Sequence, residues 1–196
     1  IAVGFQNVQL LLRLNQMAFH DGLCDLPNRQ MFISVLNEII LERPEDWVVA
    51  MLDVRRFSEI NDALGHQLGD FLLQKIAIRL RSLLKASVIV ARVGVDQYAI
   101  AGKRSEINFD EIRAELNQPY WVNSNLLRIQ VAMALMEVRD STGDGLDCLK
   151  NITLTLNQAK RQADDQPVHY TRQLTENSRR RVELGIAGCR SARAFV

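Results

Sequence analysis

A chain of 196 residues, 47% hydrophobic and 24% charged, carries enough apolar side chain for one globular domain with flanking segments. Its net charge of +1 offers no basic field for nucleic acid or an anionic membrane, and no apolar run approaches the roughly 20 residues that span a bilayer. Three widely separated cysteines, Cys24, Cys148 and Cys189, suggest neither a disulfide framework nor a metal knuckle. With no visible signal peptide, they fit a reducing cytoplasm. The chain opens on Ile1 rather than Met, so a longer parent protein is expected.

Residues 5–19 are predicted helical, because Leu10, Leu14 and Met17 share one face with Leu11 and Ala18 beside it. Such a helix is either a coiled-coil linker from an upstream domain or a helix packed on its own domain. Asp25-Leu26-Pro27-Asn28 is a turn signal, with Asn28 as N-cap of a helix from Arg29 to about Glu42. Trp47 to Val54 is apolar and rich in β-branched residues, which predicts a buried central strand. Helical patterns follow over 56–63 and from about Gly69 to Lys85, broken at Gly65-His66. Strands are predicted at 87–93 and 97–102, a short helix at 109–116, strands near 119–123 and at 127–137, a helix at 145–163 and a short strand at 168–170. Two strands alternating with helices, then hairpins, predict an α/β (α+β) domain with a mixed, mainly antiparallel sheet and helices on its faces. No internal repeat is evident. Residues 171–184 read as a polar helix leaving the domain, and 185–196 as linker or the edge of a neighbour.

The chemistry concentrates at two acids. Asp53 ends the central strand, and Asp96 follows the turn of a strand-turn-strand unit, Ala91 to Ile100. If the strands are neighbours, the two carboxylates converge at one edge of the sheet. Two carboxylates plus substrate phosphates suit Mg²⁺, although each acid could equally hold only a local turn.

Three stretches carry a family resemblance. Asp21 to Arg29 resembles a D-x-L-T-x-L-P-N-R segment. Leu52 to Asp70 resembles L-D-x-D-x-F-K-x-I-N-D-x-x-G-H-x-x-G-D. Gly94-Val95-Asp96-Gln97-Tyr98 resembles an eroded Gly-Gly-(Asp/Glu)-Glu-Phe. Together they are similar to the GGDEF family, the diguanylate cyclases, over about residues 20–170, with residues 1–19 and 171–196 as flanking linker and connector. The resemblance implies a nucleotide-cyclase-like fold in which two GTP-loaded domains face each other as a homodimer. There, the 3′-hydroxyl of one GTP attacks the α-phosphate of the other to make cyclic di-GMP. It implies Asp53, Asp96 and the Val54 carbonyl as Mg²⁺ ligands. It implies Asn61, Asp70, Phe57 and Lys160 as GTP-binding residues, with Asn61 and Asp70 reading the guanine edge.

Several positions depart from the pattern. Val95 replaces the second turn glycine, where φ > 0 and close approach to a ligand favour glycine. Gln97 replaces a glutamate and is no base at neutral pH. Arg55 replaces the second acid of D-x-D, Ser58 replaces a lysine, and Asp164 stands where an arginine is expected near Lys160. The site thus loses two negative groups on the metal side and two positive groups on the phosphate side. The R-x-x-D product-inhibition motif is absent from Lys85-Ala86-Ser87-Val88. Arg55 is also a candidate to fold onto Asp53 and Asp96 as an internal ion pair, against the alternative of an arginine in solvent. The resemblance then implies a degenerate domain without cyclase activity. It would regulate a downstream EAL phosphodiesterase domain in response to an upstream sensor, all in the same chain. The alternatives are an active or weakly active cyclase, and a dimerisation scaffold that binds no nucleotide.

Overall fold

The computed structural model describes residues 18–42, 44–162 and 164–173. The helix predicted over 5–19 lies almost wholly outside the described residues, as does most of the segment after Tyr170. Element labels below run over the elements whose bounds are described.

Strand β1 (Trp47–Val54) is the centre of the sheet, and every residue after Trp47 is buried. Its antiparallel neighbours are β3 (Gln97–Lys103) on one side and β6 (Val131–Glu137) on the other. Strand β2 (Ile89–Arg92) pairs outside β3, and β7 (Val168–His169) lies parallel beside β6. The order β2-β3-β1-β6-β7 is the mixed, mainly antiparallel sheet that the sequence predicts.

Both faces of the sheet are covered, which is why β1 reads as a continuous apolar run rather than an alternating one. Val48, Ala50, Leu52 and Val54 point into a core shared with α3 (His66–Leu83) and α4 (Phe109–Leu116). Val49 and Met51 point the other way, into a core with α1 (Arg29–Glu42) and α5 (Gly145–Arg161). The same parity puts Asp53 on the α5 side. Phe32 and Leu36 of α1 are fully buried there, each contributing roughly 1.5–3 kcal/mol. Asn28 caps α1 as expected, its Oδ1 accepting from Met31 N at 3.0 Å.

Two boundaries differ from the sequence reading. Helix α2 (Phe57–Leu64) and α3 are separated only by Gly65, at φ 86°, so α3 starts at His66 and Gly69 lies inside it. Gly69 is there for proximity: a Cβ on it would sit 1.9 Å from Asn61 Oδ1. The single strand predicted at 127–137 is two elements. Asn123 and Ser124 both have positive φ, reversing the chain in two residues and pairing β4 (Tyr120–Val122) with β5 (Asn125–Leu127). The sheet strand β6 starts only at Val131.

Candidate functional site

The site assembles at the end of β1. In register, Asp53 faces Gln97 of β3, so the strand and the signature hairpin are neighbours. The backbone closes the junction: Val54 N donates to Asp96 O at 3.1 Å and Arg55 N to Gln130 O at 2.9 Å. The two acids therefore converge at one sheet edge, as their placement in the sequence suggests.

Asp53 is 1% exposed. Its Oδ2 accepts from Lys160 Nζ at 2.8 Å and from Gln97 Nε2 at 2.9 Å, while its Oδ1 is buried with no partner among the described residues. Strand parity explains the first contact. Asp53 shares the face of Val49 and Met51, and that face packs on α5, whose last turn carries Lys160. Gln97 reaches the same oxygen because it stands opposite Asp53 in the ladder. The carboxylate is thus neutralised and hydrogen-bonded from within the protein.

Asp96 is half-buried. Burial first, and the neighbouring Asp53 charge second, push its carboxyl above the ordinary value of 3.8. An acid whose folded pKa is raised makes the fold less stable wherever it must ionise. That penalty is full above the raised value and vanishes below 3.8. Asp96→Asn is therefore expected to raise the unfolding midpoint at pH 7 in metal-free buffer. The gain should shrink as pH falls into the acid range. Unfolding curves across that range check this, and a gain that grows on acidification contradicts it.

Arg55 does not fold onto the two aspartates. Its guanidinium caps the end of α5, donating to Ala159 O at 2.9 Å, Lys160 O at 3.1 Å and Asp164 O at 3.2 Å. It also lies 3.8 Å from the Asp165 carboxylate. The last carbonyls of a helix lack intrahelical donors and form the negative end of its dipole, so they draw the guanidinium away from a carboxylate already held by Lys160. Arg55 thereby fixes the turn that carries Lys160.

Val95 needs no left-handed backbone. The described non-glycine residues with positive φ are Asp25, Arg56, Asn123 and Ser124. The Val95 side chain is 70% exposed at the hairpin tip. What valine changes there is the surface offered to a ligand, rather than backbone strain. Gly94 is the tight position: a Cβ on it would lie 2.8 Å from Gln97 Oε1.

The guanine-side candidates lie on the α2–α3 unit. Asn61 packs against Gly69, with its Oδ1 buried and unpartnered. Asp70 is exposed in the second turn of α3, and Ser58 is exposed on α2. Phe57 is 5% exposed and belongs to the core, its ring packed beside Gly69 next to Asn61. Tyr98, in place of the expected phenylalanine, is accommodated because its hydroxyl donates to Leu73 O at 2.8 Å.

Arg92 is a site residue that the sequence reading passed over. Its Nη1 contacts both oxygens of Asp21, at 3.0 and 2.9 Å, and its Nε donates to Val95 O at 3.2 Å. One guanidinium thus ties the Asp21 segment to the hairpin turn. The available signal was the arginine two residues before Gly94, together with Asp21, a carboxylate already singled out in the opening motif.

Comparison with known proteins supplies independent relationships. The family model "Diguanylate cyclase, GGDEF domain" matches residues 18–166. The signaling protein YkoW of Bacillus subtilis is 31% identical over 169 residues, covering 81% of this chain and 21% of that protein. The cyclic di-GMP phosphodiesterase NbdA of Pseudomonas aeruginosa is 30% identical over 186 residues, covering 87% and 23%. The chain spans about a fifth of the length of such relatives. The isolated GGDEF domain of TpbB from P. aeruginosa superposes with a TM-score of 0.73 at 27% identity, over 82% of this chain and 99% of that one. The FimX GGDEF domain from the same organism, at 15% identity, matches in fold with a TM-score of 0.69, over 76% and 97%.

Proposed function

The chain belongs to the GGDEF family, and from that membership we propose that it is a degenerate GGDEF domain of cyclic di-GMP signalling. In this reading it binds GTP without condensing it and regulates a neighbouring phosphodiesterase domain of the same protein. The observation that carries the reading is the state of Asp53: one oxygen is already held by Lys160 and Gln97, and one is buried without a partner.

The residues fit a single divalent ion. The orphaned Asp53 Oδ1, Asp96 and the Val54 carbonyl would hold it, and no cluster of three or more His, Cys, Asp or Glu suited to a metal exists among the described residues. When bound, Mg²⁺ would neutralise charge on the nucleotide phosphates. The chain's own residues do the rest. Asn61 and Asp70 present an amide and a carboxylate to a guanine edge. Lys160 divides its charge between Asp53 and any phosphate that approaches. Gln97 can donate a hydrogen bond but cannot take a proton.

Phosphoryl transfer relies on positioned charge, and losing one such contact typically costs ~10²–10³ in rate. Here Ser58 and Asp164 leave the phosphate side without two cations, and Arg55 and Gln97 leave the metal side without two anions. The relatives support the coupling to hydrolysis: NbdA is named a cyclic di-GMP phosphodiesterase and MucR a bifunctional cyclase and phosphodiesterase. Calorimetric titration of the domain with GTP and Mg²⁺ tests the binding half. Saturable heat that is lost in Asn61→Ala is the expected result. No heat would leave a scaffold that binds no nucleotide.

A further inference from the structure

A second cleft, of about 730 Å³, opens on the side of α2 away from Asn61. None of Asp53, Asp96, Gln97, Asn61, Asp70 or Lys160 lines it. Its lining includes Arg55, Arg56 and Arg128 together with Ile60, Leu64 and Ile129. Two acids, Glu59 and Asp165, also line it, so three guanidiniums face two carboxylates and the lining carries one excess positive charge. Asp165 is already engaged: it sits 3.8 Å from Arg55 Nε and its Oδ2 accepts from Gln130 Nε2 at 3.3 Å.

Two further features set this cleft apart from a solvated charged surface. Arg55 Nε and Asn117 Oδ1, a donor and an acceptor of lining residues, are both buried without a hydrogen-bond partner among the described residues. Unpartnered buried polar atoms are uncommon in native structures, and each calls for a reason. Arg56, moreover, occupies the left-handed region at φ 56° and ψ 33°, where residues other than Gly, Asn and Asp are strained. A local conformation of that kind, at the mouth of a cleft, is where structures hold functional side chains.

We propose that this cleft is a binding site for a small organic monoanion. Its oxyanion is taken between the Arg56 and Arg128 guanidiniums, and its apolar body lies on Ile60, Leu64 and Ile129. Guanidiniums match planar and tetrahedral oxyanions through paired donors, and the single excess charge of the lining selects one negative charge over two. A carboxylate and a phosphodiester share this chemistry. The proposal uses none of Asp53, Asp96, Gln97, Asn61, Asp70 and Lys160, so its failure and that of the GTP reading are distinguishable.

Benzoate and diphenyl phosphate, titrated separately into the domain in magnesium-free buffer and followed by NMR, serve as the two probes. Saturable shifts at Ile60 and Ile129 with either probe are expected, and the stronger probe identifies the class of anion. Arg56→Gly and Arg128→Gln should each weaken binding about tenfold or more. Arg56→Gly removes the side chain while relieving its left-handed strain, so its unfolding midpoint should not fall and loss of binding cannot be put down to misfolding. Lys150→Ala, an exposed α5 lysine paired only with Asp147 among the described residues, should leave binding unchanged. Saturation by neither probe overturns the proposal. Binding that survives both arginine changes, or that vanishes in Lys150→Ala, places the anion elsewhere and also overturns it.

Discussion

Lys160→Met is expected to destabilise the metal-free domain by about 3 kcal/mol, the low end for removing one partner of a buried ion pair. The cost arises at Asp53, which stays 1% exposed and loses the one cation that pairs with it among the described residues. The Gln97 amide remains but carries no charge. The low end applies because the Lys160 side chain is 40% exposed, so part of its attraction to Asp53 is already screened by water. Magnesium should recover much of the loss in the variant while adding less to the parent, since the ion takes over the neutralisation that Lys160 supplied. Urea unfolding of both proteins, with chelator and with Mg²⁺, measures this. Equal midpoints with chelator would mean that the ion pair does not neutralise Asp53 in solution.

The second large effect is a gain. Arg55→Asp, Ser58→Lys, Val95→Gly, Gln97→Glu and Asp164→Arg, made together, restore the charges that the family pattern places around the nucleotide. Each regained electrostatic contact is worth ~10²–10³ in rate where it acts on the transition state, so the combined variant should exceed the parent by at least about 10²-fold in cyclic di-GMP formed. Positions 55 and 164 must change together. Arg55→Asp alone removes the guanidinium that donates to the Ala159, Lys160 and Asp164 carbonyls, and Asp164→Arg returns a cation to that helix end. A combined variant that folds, binds GTP and still forms no product would locate the defect outside these five residues.

Much of this site is visible in the sequence because its parts are local. The run from Leu52 to Asp70 holds the end of β1, the α2–α3 turn and the half-buried Asn61 in one continuous stretch. The signature hairpin is another such stretch. Strand parity could also have placed Asp53 on the face of Val49 and Met51. What parity cannot supply is the helix that covers that face. Lys160 lies 107 residues away in the chain, and only the packing of α5 brings it to Asp53. Arg55 illustrates the same limit. Adjacency to Asp53 suggested a pair between them, but the carbonyls that capture it belong to a helix end more than a hundred residues downstream. The β5–β6 boundary was hidden for another reason. Arg128-Ile129-Gln130 alternates polar and apolar residues as a strand does, so nothing there marks the gap between β5, which ends at Leu127, and the sheet strand that begins at Val131. Gly69 read as a helix start because glycine disfavours helix interiors, whereas here close packing against Asn61 outweighs that preference.

On the proposed reading, the Asp53 site does not perform the condensation. The direct test is a chromatographic assay for cyclic di-GMP, with the domain at high concentration, saturating GTP and Mg²⁺, so that a weak homodimer still forms. GTP recovered intact, with no cyclic di-GMP above the level of an Asp53→Ala control, is the predicted result. Product above that control, abolished by Asp96→Ala, would contradict the account and return the domain to the active cyclases.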